Sequence, residues 1–236
     1  MLKRGINTLT REMIINAPVS EATHSYAPVE NKVIIHTALE EFEKNGYKLI
    51  GENYKSEMNM QKFVGNFILQ HENPEMNMMF GFKNSYNKTM SAGISLGAQV
   101  FVCLNGMLTG EYVKMRKHTG SVNEIIVTGI RENVKALSEN FEQISISNQR
   151  MKEIEMTKKT IGELIGNFYC NEAIVTSRQL EIIKNELFEK ESFNYGVDNS
   201  LYNVYQAITH SLKKSHPDNY IQDHIDTHNF MLAQMS

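Results

Sequence analysis

Between Tyr47 and Arg116 the chain carries a succession of short apolar stretches with no helix-length interval among them. They are Tyr47–Tyr54, Lys62–Leu69, Met76–Phe82, Ser91–Ala98 with Gln99–Leu104, and Gly110–Arg116. Apolar and polar residues partly alternate within them, and Asn, Gly, Ser and Pro separate them, which is the pattern of half-buried strands joined by turns. Parallel strands need long crossovers, so strands this close together predict an antiparallel sheet. After Gly120 the periodicity becomes helical to the end of the chain. The fold class that follows is α+β: an N-terminal arm and helix, an antiparallel sheet, then a helical C-terminal half.

The predicted organisation is an arm over 1–27, a helix plus sheet over 28–120, and a helical region over 121–236 that packs on the sheet or extends from it. Pro18 and Pro28 bracket the polar end of the arm. Asn31 reads as the N-cap of a first helix ending near Asn45, with Gly46 as its stop. A longer helix over 122–158 has the seam Ile130, Val134, Leu137, Phe141, Ile144, Asn148, Met151 and Glu155. Steps of four and three are the spacing of a coiled-coil seam. Such a seam forms either a core helix of its own domain or a homo-oligomer contact. Thr160 with Glu163 and Thr176 with Gln179 read as capping boxes. Asn199 reads as the cap of a helix from Leu201, and Pro217-Asp218 as the start of the last one.

Composition narrows the function classes. The 236 residues are 41% hydrophobic and 22% charged, which suits a folded domain, and the formal net charge of −3 argues against a dedicated duplex-DNA binder. The two cysteines, Cys103 and Cys170, make no Cys-x-x-Cys pair and are expected to be reduced thiols. No apolar run is long enough for a transmembrane helix, and Met1–Asn7 lacks the apolar core of a signal peptide. The cluster Met58, Met60, Met76, Met78 and Met79 is expected to fill core gaps.

Five segments stand out in order along the chain: His24-Ser-Tyr-Ala-Pro-Val-Glu-Asn31, the Asn84-Ser85 turn, Val102-Cys-Leu-Asn-Gly-Met107, Arg116-Lys-His-Thr-Gly120 and Ser200-Leu-Tyr-Asn-Val-Tyr-Gln-Ala-Ile-Thr-His210. Together they resemble domain-of-unknown-function family 932, whose members are encoded by phages, prophages and plasmids. Where the family has Asp-Gly after Asn-Ser, this chain has Tyr86-Asn-Lys-Thr. The resemblance covers most of residues 24–212 in order. It implies a mobile-element protein acting in the cytoplasm of a bacterial host, and it brings no settled enzymatic activity.

Chemistry-bearing patterns are few. Gly93-Ile-Ser-Leu-Gly97 lacks the Gly-Lys-Ser/Thr of a phosphate loop and reads as a bulge or tight strand crossing. Cys103 has no base near it in sequence. His224 and His228 stand four apart, a spacing that can bind a transition metal, but the His-Glu-x-x-His arrangement is absent. His228 also falls on the Ile221, Ile225, Leu232 face, as a core histidine would. The sequence predicts neither a cofactor nor a resident metal.

Basic residues interleaved with aromatics occur twice. Lys83, Tyr86 and Lys88 lie on one expected turn, and Tyr112, Lys114, Arg116, Lys117 and His118 lie at the end of the expected sheet. Cations that hold phosphates beside rings that stack bases are the means of binding single strands. These eight residues are the candidate nucleic-acid site. The expected function is that of a non-enzymatic phage or plasmid accessory protein binding single-stranded DNA or RNA in replication or recombination. The alternatives are a factor acting on a host defence protein and a metal-dependent enzyme using His224 and His228. No membrane partner is expected.

Overall fold

The computed structural model describes residues 7–57, 59–100, 105–109, 114–189 and 198–235. The arm opens with strand β1 (Asn7–Leu9) and a short helix α1 (Arg11–Ile15), whose first turn is capped by the Thr10 hydroxyl accepting the Met13 N–H. Helix α2 (Asn31–Lys44) begins at Asn31 itself, so Asn31 is not the cap. Its side chain is buried and serves the tertiary structure: its amide N–H donates to the Ile14 carbonyl, and its amide oxygen accepts from Asn84.

The strands are β2 (Leu49–Ser56), β3 (Lys62–Leu69), β4 (Met76–Ser85), β5 (Ala92–Val100), β6 (Gly106–Leu108) and β7 (Lys114–Arg116). All pairings are antiparallel, in the order β1-β2-β3-β4-β5-β6, with β7 beside β6 on the same edge of β5. The two segments expected as Ser91–Ala98 and Gln99–Leu104 form one strand through Val100; residues 101–104 lie outside the described residues. Asn84-Ser85 is not a turn but the buried end of β4, and the chain reverses over 86–91.

Helix α3 (Val122–Glu153) is followed by α4 (Lys158–Asn167), α5 (Ser177–Lys184), α6 (Leu201–Leu212) and α7 (Tyr220–Ala233); π-helical turns, Phe168–Glu172 and Asn185–Glu189, extend α4 and α5. The architecture is α+β. The α3 helix stops short of 158 because Ile154 turns extended, and 154–156 bond to the segment entering α6: Leu201 N–H donates to Ile154 O, and Met156 N–H to Asn199 O. The capping box of α4 is Thr157 with Thr160, three residues ahead of the expected one, while Thr176 with Gln179 caps α5 as expected. Ser200, not Asn199, caps α6.

Alternation divides the sheet into two faces of different chemistry. Phe63, Phe67, Phe80, Phe82, Ile94 and Leu96 point to one face, where Phe42 of α2 packs edge-on against Phe67 and Phe80, each at 5.5 Å. The α3 seam from Ile130 through Met151 packs on this side and is buried, while Glu155 is exposed. The seam is therefore occupied by the chain's own sheet and helices, as in the core-helix alternative, and it is not open to a second copy. Asn148 donates toward the Met76 sulfur at 3.2 Å. The opposite face carries Val64, Ile68, Met79 and Leu108, which pack against Tyr220, Ile221 and Ile225 of α7. Met76, Met78 and Met79 are core residues, and Met58 lies outside the described residues. Cys170 is exposed and unpaired, Cys103 lies outside the described residues, and no described helix is long and apolar enough to cross a membrane.

Candidate phosphate-binding cleft

The turn between β4 and β5 is built by its own side chains. The Asn87 side-chain oxygen accepts the Thr89 N–H at 3.2 Å and the Thr89 hydroxyl at 2.6 Å. The Ser85 hydroxyl donates to the Met90 carbonyl at 2.7 Å and closes the loop behind it. Lys88 sits between these anchors with φ 66°, a left-handed conformation that a lysine adopts only when the surrounding turn imposes it.

Antiparallel pairing brings a distant segment to the same place. Ala92 at the start of β5 pairs with Arg116 at the end of β7, so Lys117, His118 and Thr119 emerge beside the 88–91 turn. The arm completes the arrangement: Ala27 N–H donates to the His118 carbonyl at 3.0 Å, and the Tyr26 hydroxyl donates to the Tyr86 carbonyl at 3.2 Å. The result is a cleft of about 390 Å³ lined by Tyr26, Lys88, Lys117, His118 and Met90, with the hydroxyls of Ser25, Thr89, Ser91 and Thr119. No carboxylate of the described residues lines it.

The Lys88 ammonium lies 4.8 Å above the Tyr26 ring, which orients it without neutralising it. His118 packs against the same ring at 5.4 Å. Burial pushes the His118 pKa below the ordinary imidazole value, opposed by the carbonyls of Ala27 and Met90. At neutral pH the positive charge of the cleft is therefore that of Lys88 and Lys117. Two ammonium groups, four hydroxyls and two rings, with no competing acid among the described residues, suit a phosphate and the group it carries.

The eight residues singled out from sequence separate in space. Lys88, Lys117 and His118 line the cleft. Tyr112 lies outside the described residues, and Lys114 and Arg116 enter through their backbone pairing with Ile94 and Ala92. Lys83 and Tyr86 are buried elsewhere, at 6% and 1% exposure, which corrects the expectation that they share an exposed turn with Lys88. Lys83 points to the α7 side of the sheet, where burial pushes its pKa down and the carboxylates of Asp218 and Asp223 oppose that shift. Lys62 on the same face pairs with Asp218 at 2.6 Å.

Tyr86 has a structural task. Its hydroxyl accepts the Asn31 N–H at 2.8 Å, satisfying a donor at the start of α2 that has no intrahelical partner. Tyr86→Phe is expected to leave that buried donor unmade and to lower stability by about 1–3 kcal/mol. Urea unfolding will read the loss, and affinity for single-stranded DNA should not change.

Sequence reasoning missed Tyr26 and the four hydroxyl residues. Tyr26 lies in the His24–Asn31 segment that carries part of the family resemblance, but nothing local ties that segment to Lys88. His224 and His228 do not converge on a shared site: His228 Nδ1 meets the Tyr205 hydroxyl at 2.9 Å, whereas His224 packs edge-on against Tyr220. Among the described residues no group of three or more His, Cys, Asp or Glu side chains could hold a metal ion. Comparison of the chain with family models, curated proteins and solved structures found no match.

Proposed function

We propose that this protein binds single-stranded nucleic acid, with the cleft between the 88–91 turn, the 117–119 segment and Tyr26 holding the phosphate backbone. The observation that supports it most directly is Lys88 and Lys117 lining one cleft beside two aromatic rings, with no carboxylate among the described residues that line it. A backbone phosphate gains charge-assisted hydrogen bonds there, and the rings and Met90 offer apolar surface to an adjacent base or sugar. The resemblance of the His24–Asn31 and Arg116–Gly120 segments to the phage and plasmid family supports a role in the replication or recombination of a mobile element. Both segments contribute to this cleft: Ser25 and Tyr26 from the first, Lys117, His118 and Thr119 from the second. No covalent step is part of the reading.

The test is fluorescence anisotropy with labelled single-stranded DNA, single-stranded RNA and duplex DNA across a salt series. Binding is expected to prefer single strands and to weaken steeply with salt, because phosphate contacts release counterions. Equal affinity for duplex would overturn the single-strand assignment, and absence of binding at low salt would overturn the proposal.

A further inference from the structure

The face of the sheet under α7 holds three lysines, and they are treated differently. Lys62 and Lys83 each have a carboxylate nearby, from Asp218 or from Asp218 and Asp223. Lys55, level with Lys83 across Val64, has no carboxylate partner among the described residues. Its ammonium donates one hydrogen bond, to the Lys213 carbonyl at 3.3 Å, and lies 5.3 Å from the centre of the Tyr220 ring. Burial and the charges of Lys213 and Lys214 push its pKa down. A half-buried cation among other cations is costly until an anion joins it.

The space beside Lys55 is a cleft of about 210 Å³. The amides of Asn53, Asn66 and Gln99 line it, with Tyr220 and His224. Asn53 is exposed and marks its mouth. Asn66 donates to the Tyr220 oxygen at 3.1 Å, which leaves the Tyr220 hydroxyl hydrogen free to donate. His224 is 2% exposed, and neither ring nitrogen has a hydrogen-bond partner among the described residues. Burial, with Lys55 nearby, holds its pKa down at about 3, so at neutral pH it is a neutral ring with one N–H to give. Buried polar atoms are almost always partnered, and His224 lines this cleft, so its ring N–H is placed to meet a group bound there.

We infer that this cleft is a second ligand site, which takes the phosphate group of a small molecule through Lys55, the Tyr220 hydroxyl, His224 and the surrounding amides. Donors arriving from β2, β3, β5 and α7 surround a tetrahedral oxyanion better than a planar carboxylate, which has only two oxygens to offer. The site does not depend on the Lys88–Lys117 cleft, since the two share no lining residue.

Isothermal titration of the full chain with inorganic phosphate, adenosine 5′-monophosphate and acetate tests it, with ¹⁵N shifts of the His224 ring as a second readout. Phosphate or the monophosphate is expected to bind at this cleft and to move the His224 ring resonances. Tighter binding of the monophosphate assigns a phosphate ester, and equal or tighter binding of inorganic phosphate assigns the free anion; both support the site. Lys55→Gln should weaken the binding read at the His224 resonances at least tenfold, while Lys88→Ala with Lys117→Ala removes only binding that leaves those resonances unmoved. Gly106→Ala provides a variant that keeps every donor, because its added methyl would meet only the flexible end of Met79 at 2.8 Å and narrow the cleft near Tyr220. It should also weaken binding. Unmoved His224 resonances, acetate binding as tightly as phosphate, or binding lost with the Lys88 and Lys117 changes but kept in Lys55→Gln would each overturn the inference.

Discussion

Replacing Gly97 with alanine is expected to destabilise the protein by about 3 kcal/mol or more, the upper end of what overpacking a core costs. A methyl at Gly97 would lie 1.8 Å from the Met107 carbonyl oxygen, 2.8 Å from its carbon and 3.0 Å from the Leu108 Cα. Every one of these atoms is backbone, so no side chain can swing aside. Strand β6 would have to leave β5, and with it Met107 and Leu108, both fully buried. Those two residues serve opposite faces: Met107 belongs to the core under α2 and α3, and Leu108 to the cluster under α7. One added methyl therefore disturbs both cores. Gly162→Ala is the matched control, because its methyl meets nothing within 4 Å and it lies within α4. That change should stabilise by about 0.5–1 kcal/mol, since alanine is the better helix residue. Urea unfolding of the two variants should move the midpoint in opposite directions; an unshifted midpoint for Gly97→Ala would mean that β6 does not lie against β5 as described.

Lys88→Ala combined with Lys117→Ala is expected to weaken single-stranded DNA binding by about 25-fold at about 0.1 M salt. The figure follows from counterion release: each phosphate contact contributes about 0.7 to the salt slope on single strands, so losing two makes it shallower by about 1.4. Both side chains project into the cleft rather than the core, so the fold should survive, as circular dichroism will check. Lys158→Ala with Lys159→Ala removes the same charge from the exposed start of α4, outside the cleft. If that control flattens the salt slope equally, binding follows net charge and the cleft assignment fails. A loss confined to the Lys88 and Lys117 pair places the phosphates where the lysines converge.

Local pattern carried much of the architecture. Strand Lys62–Leu69 and helix α2 could be read almost to the residue, because alternation and helical spacing are properties of consecutive side chains. The α3 seam was legible for the same reason, down to the burial of Asn148. Gly93–Gly97 reads as a bulge or a tight strand crossing; the register with β4 is unbroken, and at Gly97 the structure supplies a close approach, with the Met107 carbonyl as its partner.

Caps were less legible than elements. Thr157, Thr160, Asn199 and Ser200 all belong to capping residue types, and the choice among them rests on where 154–156 bonds to the start of α6. Asn31 has the composition of a cap and is instead spent on Ile14 and Asn84, because the arm and the end of β4 close over it.

The sequence by itself determined the long strands and helices, though not β1, α1 or β6, and that cations and rings gather near 83–88 and 112–118. Only the tertiary structure decided which of those cations can meet a ligand. Lys83 and Lys88 are near neighbours in the chain, yet Lys83 lies under α7 with Asp218 and Asp223 nearby, while Lys88 lies over Tyr26 at an open cleft. Alternation says only that Lys83 faces away from the aromatic core. Whether solvent or a helix lies on that other side depends on where residues more than a hundred positions later pack, and no local pattern holds that information.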